Sequence, residues 1–213
     1  MLDAIKIEDN KQKFISLLYS LERTGARVTD LVARLENSDF FIAPGSTRYH
    51  AVYEGGLCQH CLNVYENLKS LVELKGLEDE ISKDSILICG LLHDFSKMNL
   101  YKPTVKNEKV YFEGGTKHDA CGNFDWVSKP GWKVASDEER FIFGNHEETS
   151  EFMIRTYIPL SFEESAAILN HHGGIGFDSA QGGIASKAMA RYPLAALLHI
   201  ADMLSTYVDE KNE

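Results

Sequence analysis

The chain carries a dispersed set of histidines and aspartates: His60, the adjacent pair His93-Asp94, His146, His171-His172 and Asp202. Imidazole and carboxylate are the usual nitrogen and oxygen ligands of divalent transition metals. These residues fall repeatedly inside apolar, helix-like stretches such as LLHDFSK and LLHIADML. An ionisable group there is costly unless it finds a partner, and a bound cation is an effective one. The pattern predicts a metal centre inside a helical bundle and, from it, hydrolysis. Adjacent helical residues point about 100° apart. His93 and Asp94 can therefore flank one point beyond a helix end and bind one metal, or Asp94 can bridge two. Asp202 is the sharpest single signal, because a lone solvated carboxylate is an odd choice in its apolar run.

The elements that must position these groups read as mostly helical. Phe14, Leu17, Leu18 and Leu21, then Val28, Leu31, Val32 and Leu35, recur at helical spacing, with Gly25 dividing them into two helices. Residues 36–56 read as a loop rich in turn residues and aromatics. Leu57, Cys61, Val64, Leu68, Leu71 and Val72 form the next helical face, with His60 one turn in. Residues 84–97 are apolar nearly all round, which predicts a central helix capped by Asp84 or Ser85. Within 100–135, KVYF, Gly114-Gly115 and FDWV suggest short strands in a hairpin-like insertion closed by Pro130-Gly131. Ser136 with Glu139, and Ser161 with Glu164, are capping-box patterns that open helices. Further helices are expected over about 147–157, from Ser161 to His171 with Gly173-Gly174 as the stop, and over 193–208 with Pro193 in the first turn.

At 213 residues the chain is long enough for one domain with a real core. Its apolar share of 44% and charged share of 25% are those of a soluble globular protein. A net charge of -10 argues against a nucleic-acid coat or a membrane-surface protein. The N-terminal stretch is polar and reads as no signal peptide, so a cytoplasmic location is expected. Cys58 and Cys61 stand at redox or zinc spacing, but no second pair completes a site. They read as small, partly buried helix residues.

Three segments, YHAVYEGGLCQHCLNV with His60, LLHDFSK with His93 and Asp94, and LLHIADMLST with Asp202, together resemble the HD-domain metal-dependent phosphohydrolases. Their signature is one His, then a His-Asp pair, then a distal Asp on a helical core. The first segment is similar to the Gly-Gly-Leu-x-x-His opening of many members, and the second to the His-Asp-x-x-Lys form. The resemblance covers most of residues 45–208 and extends to small phage and prophage HD hydrolases. It implies an all-α fold, an HD-domain helical bundle with a small β-hairpin-like insertion. Residues 1–213 would form a single HD-type domain, with N-terminal helices over 1–44, the HD core over 45–208 and an inserted hairpin or lid over 100–135.

The resemblance implies a site for one or two divalent ions, Mn, Fe, Ni, Co or Zn. His60, His93, Asp94 and Asp202 suffice for one ion. Two-metal relatives carry further histidines, which adds His146, His171 and His172 and favours a dinuclear site, with His171 ranked above His172. The insertion makes the gap from Asp94 to His146 longer than is usual. Where some relatives carry a ligand Glu one turn before the first His, this chain has Gly56, with Glu54 the nearest acid. The implied activity is that of a phosphomono- or phosphodiesterase acting on nucleotides through a metal-activated water. Asp94 would bridge, Lys97 would bind phosphate or steady developing charge, and His172, if not a ligand, would protonate the leaving group. A solvated helix-end lysine is the plain alternative for Lys97. Lys187 and Arg191 could hold a phosphate or could be surface charge. His118 could reach in from a lid or be solvent-exposed. His50 and His199 read as supporting or core histidines, with His199 placed to orient Asp202. Asn145 and Asn170 are candidate supporting contacts, and Phe40, Phe41, Tyr49 and Tyr53 are candidate walls of a base pocket. The expected partner is a small phosphorylated substrate, with no membrane and no long nucleic acid. The competing readings are an HD-type di-iron oxygenase and a non-catalytic nucleotide-binding sensor.

Overall fold

A computed structural model describes residues 2–141, 143–173 and 179–210. Helix α1 (Ala4–Tyr19) starts where the Asp3 side chain accepts the Lys6 amide, and α2 (Val28–Glu36) follows a turn at Gly25. Gly25 has φ +80°, a left-handed conformation that side chains disfavour, so the expected division falls there. Phe14, Leu18, Leu31 and Leu35 of these two helices are fully buried.

Helices α3 (Gly56–Lys75) and α4 (Lys83–Leu92) form the middle of the core. α4 buries every residue from Ile86 to Leu92, as its all-round apolar character requires. Its cap is Ser82, which accepts the Ser85 amide, rather than Asp84 or Ser85. A Cβ added at Gly90 would lie 2.6 Å from Tyr65 Cα, so α3 and α4 touch backbone to backbone. The helix stops at Leu92 and does not continue through residue 97. His93 Nδ1 donates to the Gly90 carbonyl at 3.1 Å, the acceptor that a continuing helix would offer to the Asp94 amide. The chain then enters a 3-10 turn over Phe95–Lys97.

Strands β1 (Tyr101–Tyr111), β2 (Lys117–Asp119) and β3 (Gly122–Val134) form an antiparallel sheet in the order β1-β3-β2. Tyr101 pairs with Val134 and Tyr111 with Phe124. The insertion is thus a long hairpin, and the fold is a helical bundle with a small sheet rather than purely all-α. Pro130 does not close the hairpin but lies within β3 opposite Val105. At that point β1 is the sole neighbour of β3 among the described residues, so a missing amide is tolerated.

Ser136 and Glu139 form an isolated turn. The Ser136 amide and hydroxyl both donate to the Glu139 carboxylate, which leaves the hydroxyl engaged, and the described residues 137–141 form no helix. Helix α5 (His146–Arg155) is opened by an Asn145–Glu148 capping box, and α6 (Phe162–Leu169) by the expected Ser161–Glu164 box. α6 ends before His171 by the device seen in α4: His171 Nδ1 donates to the Ile168 carbonyl at 2.7 Å. The expected stop at Gly173-Gly174 is half visible, since Gly174 lies outside the described residues. α7 (Ser179–Arg191) was not signalled by periodicity. α8 (Pro193–Leu204) has Pro193 in its first turn and packs on α3 and α6. It ends sooner than residue 208, giving way to a wider π-helical turn over Ser205–Asp209. Among the described residues no helix is long and apolar enough to cross a membrane.

Candidate metal centre

Five imidazoles and two aspartates meet below the C-terminal end of α4. α3 supplies His60, the α4 exit supplies His93 and Asp94, and the first residue of α5 is His146. His171 and His172 follow α6, and Asp202 comes from α8. The seven sequence-predicted ligands are therefore brought together.

Four of the five rings are hydrogen-bonded through Nδ1. His60 Nδ1 lies 3.0 Å from Glu210 Oε1, His93 Nδ1 3.1 Å from the Gly90 carbonyl and His171 Nδ1 2.7 Å from the Ile168 carbonyl. Glu147 Oε1 lies 2.8 Å from His172 Nδ1, and its Oε2 makes an ion-pair contact of 3.0 Å with His146 Nδ1. Carbonyls and ionised carboxylates only accept, so the four hydrogen-bonded Nδ1 atoms carry a hydrogen, and such a ring, when neutral, leaves its Nε2 lone pair free.

Four of the five Nε2 atoms converge on Asp94. Its Oδ2 lies 3.6 Å from His60 Nε2 and 3.5 Å from His93 Nε2. Its Oδ1 lies 3.7 Å from His146 Nε2 and 3.8 Å from His171 Nε2. Asp202 completes the ring, 3.3 Å from His60 Nε2 and 4.0 Å from His172 Nε2. Asp94 Oδ1, His146 Nε2 and His171 Nε2 are buried without a hydrogen-bond partner. Orphaned polar atoms of this kind are rare and call for an explanation. The triplets His60–His93–Asp202, His93–Asp94–His171 and His146–His171–His172 each bring their ligand atoms within 4.8 Å of one another. Nitrogen and oxygen donors in this arrangement fit a divalent first-row ion.

The electrostatics agree with that donor set. Burial pushes His171 down to about 3 and His146 down to about 4, so both are neutral near pH 7 and can ligate. Burial opposes charge on His60 too, but hydrogen bonds to Asp202 and Glu210 outweigh it and push this ring up to about 10. Asp94 is held well below the usual carboxylate range because Lys97, and then His93, outweigh its burial. Lys97 Nζ sits 2.7 Å from Asp94 Oδ2 and 3.3 Å from the Gly45 carbonyl. Burial disfavours its charge, and Asp94 more than restores it. It is a buried ion-paired lysine, not a solvated one. Glu147 is pushed down to about 2, its own burial being outweighed by the His172 hydrogen bond and the neighbouring His146.

The centre opens into a cleft of about 420 Å³ with Lys97, His172 and Asp202 among its inner groups and Tyr49, Met203 and Tyr207 along its sides. A larger hollow, about 540 Å³, lies near Tyr65 and Lys83 and contains none of the ligand residues. The loop carrying Tyr49 and His50 wraps around Ser46, whose hydroxyl accepts the Tyr49 and His50 amides and donates to the His50 carbonyl. Gly56 lets this loop close, since a Cβ there would lie 2.1 Å from the Ala51 carbonyl oxygen.

Other candidates stand elsewhere. Lys187 and Arg191 are exposed on α7 and do not line the cleft, and Arg191 lies over Tyr192. His118 is exposed in β2 and bonds Asn123. His199 Nδ1 donates to the His171 carbonyl at 2.7 Å, so it braces His171 rather than Asp202. Asn145 caps α5, and Asn170 bonds the Ala166 carbonyl. Phe40 and Phe41 pack with Phe14 in the core, Tyr53 is buried, and Glu54 is exposed. Cys58 and Cys61 are buried free thiols whose ionisation burial disfavours. Sequence reasoning missed Glu147 and Glu210, and it gave no hint that both ring nitrogens of His50 would be buried and unpaired. Only the position of Glu147, directly after a candidate ligand, could have flagged it.

A bundle whose central helix ends in His-Asp, met by a first histidine and a distal aspartate, is the arrangement that the HD signature describes. The HD domain family model matches residues 57–207, and the chain belongs to that family. It is similar to a dihydroneopterin 2',3'-cyclic phosphate phosphodiesterase of Methanocaldococcus jannaschii, with 30% identity over 101 residues. That match spans 46% of this chain and 38% of the relative. No solved structure matches the chain.

Proposed function

We propose that the protein is a metal-dependent phosphohydrolase acting on a small phosphate ester of the nucleotide type. Asp94 is the observation that carries this reading: its buried carboxylate offers one oxygen to His60 and His93 and the other to His146 and His171. In this reading two ions would be held by His60, His93 and Asp202 on one side and by His146, His171 and His172 on the other, with the Asp94 carboxylate available to both. Divalent ions bound there would supply Lewis acidity toward phosphoryl oxygens and a water nucleophile near neutral pH.

The chain's own groups supply the rest. Lys97, fixed on Asp94 within the cleft, places a permanent positive charge where a phosphoryl group gains negative charge. Where His172 does not ligate, its raised pKa and cleft position suit it to protonate the leaving oxygen. Burial lowers that pKa, but the Glu147 hydrogen bond more than reverses the effect. Tyr49, Tyr207 and Met203 offer apolar faces to a flat ring, while the inner charged groups suit a phosphate. The cleft's size suits one small molecule, and the relative's name specifies a small cyclic phosphate. The 100–135 insertion serves as a lid in this reading. Lys106 of β1 donates to the Thr47 carbonyl at 2.7 Å, which ties the hairpin to the loop carrying Tyr49.

The test is phosphate release from a panel of nucleotides and an aryl phosphodiester with added Mn²⁺, comparing wild type with Asp94→Ala. Turnover that disappears in the variant supports the assignment and identifies the substrate class. Absent turnover with metal bound, joined to iron-dependent oxygen uptake, would replace it with the oxygenase reading.

A further inference from the structure

We infer that His50 is a substrate-binding residue whose ring donates a hydrogen bond to an oxygen of the phosphate group held at the metal centre. This role rests on the phosphohydrolase reading and adds to it a protein donor outside the seven candidate ligands.

His50 lines the same cleft as Lys97, His172 and Asp202. Both of its ring nitrogens are shielded from solvent, and neither has a hydrogen-bond partner among the described residues. An imidazole has at least one N–H to give in either protonation state. A shielded donor without an acceptor is costly, and such atoms in a native fold call for an explanation. The surrounding loop does not supply the acceptor. The His50 carbonyl already accepts the Ser46 hydroxyl, the Ala51 carbonyl the Gly45 amide and the Gly45 carbonyl the Lys97 ammonium. A Glu210 oxygen comes within 4.8 Å of a His50 nitrogen without bonding it. The cleft is the side from which an acceptor can arrive.

The place of the ring says which acceptor that is. The His50 and His60 rings stand 4.6 Å apart between centroids, tilted by 34°. His60 Nε2 lies in turn 3.6 Å from Asp94 and 3.3 Å from Asp202. For a substrate bound at the centre, the phosphate is therefore the part nearest His50, and an ionised phosphate oxygen is a strong acceptor. The loop is built to hold the ring there. The Ser46 hydroxyl gathers the Tyr49 and His50 amides, and a Cβ at Gly45 would come within 3.4 Å of His50 Cδ2. Ala51 follows with φ +45°, in the left-handed region that residues other than glycine seldom enter. Backbone outliers of this kind collect at ligand clamps.

Two other roles make different demands on the side chain. A ring that only packs on His60 needs its aromatic face and not its nitrogens. A metal ligand takes an ion with it when removed. His50→Phe keeps the face and loses both nitrogens, whereas His50→Gln loses the face and keeps an N–H donor.

The experiment measures the binding of inorganic phosphate to zinc-loaded wild type, His50→Phe and His50→Gln by titration calorimetry, with bound zinc counted by atomic absorption. The expected result is equal zinc in all three. Phosphate affinity should fall about 10- to 100-fold in His50→Phe, the span of a hydrogen bond to a charged group, and stay nearer to wild type in His50→Gln. Unchanged phosphate affinity in His50→Phe overturns the inference, and so does a loss in His50→Gln as deep as that in His50→Phe. Loss of zinc from His50→Phe would make His50 a ligand and overturn it as well. Wild type that holds zinc but no phosphate would instead overturn the phosphohydrolase reading, and this role with it. Should His50→Phe fail to fold by circular dichroism, long-range proton–nitrogen correlation spectra of the zinc-loaded wild-type chain decide. The His50 ring nitrogens must then shift when phosphate is added, and resonances that stay in place overturn the inference.

Discussion

Asp94 is fully buried beside a single lysine, and that pairing has a measurable consequence when no ion is bound. Replacing Lys97 with Met leaves the carboxylate without its nearest cation. Breaking a buried pair in this way costs about 3–5 kcal/mol. Urea denaturation in the presence of a chelator should show that loss, and Mn²⁺ should recover more stability in the variant than in wild type. An unchanged denaturation curve would rule out a compensating role for Lys97. His60 gives a second prediction. Its pKa of about 10 means that the ring is protonated near neutral pH without metal, and the bound form needs its Nε2 free. Metal binding should therefore release about one proton per chain near pH 7, and affinity should rise with pH up to about 10. Calorimetry in buffers of different ionisation heat measures this, and a heat independent of buffer would contradict it. The ligands themselves were legible because an imidazole or carboxylate in LLHDFSK or LLHIADML has no solvent to face. Glu147 and Glu210 were not, because an acid in a helix's first turn or in a charged tail looks solvated until the fold brings it to a ring.

At the scale of elements, the approach of α3 to α4 is the contact on which His60 and His93 depend. Gly90→Ala places a methyl 2.6 Å from Tyr65 Cα, where backbone has to move. Overpacking of this kind costs about 1–3 kcal/mol, and the shift should also weaken Mn²⁺ binding. Chemical denaturation and dialysis together test this, and retention of both properties would mean that the two helices slide freely. On the other side of the bundle, Arg23 makes two hydrogen bonds to Glu164, at 2.9 and 2.5 Å, and Ser85 of α4 adds a third at 2.8 Å. Burial resists charge on Glu164, but these bonds, led by Arg23, hold its pKa below the ordinary value. A depressed carboxyl stabilises the fold above its unfolded pKa, and that stability disappears as pH falls through the folded value. Glu164→Gln should thus be less stable than wild type by about 1–3 kcal/mol near neutral pH, with the gap closing in acid. A gap that does not change with pH would show that charge plays no part. Helical spacing made α1 to α3 and α8 readable, all-round apolar character α4, and a capping box α6. The ends of α4 and α6 were not, because each is cut short by a histidine bonding its own helix's carbonyl. α7, with the small-residue stretch SAQGGIASKAMAR, offered too few large apolar side chains to show a face.

Across the whole molecule, the centre joins α3, α4, α5, the α6 exit and α8, so an ion that binds it binds the folded chain alone. Mn²⁺ at a hundredfold excess over its dissociation constant should add about 2.7 kcal/mol per site to stability. The corresponding rise in melting temperature should vanish in Asp94→Ala. Equal rises in both proteins would place the ion elsewhere.

That dispersal also bears on how the chain is made. His60 and Glu210 are 150 residues apart, and Asp202 belongs to the last α-helix described. While the ribosome is still adding α8, His60 and Asp94 lie in apolar segments with neither the distal aspartate nor Glu210 to meet them. The complete ligand set exists only once synthesis has passed α8 and the turn after it. Selection of the ion thus becomes a late event in the life of the nascent chain, and a chain stalled before α8 exposes an unfinished core to proteases.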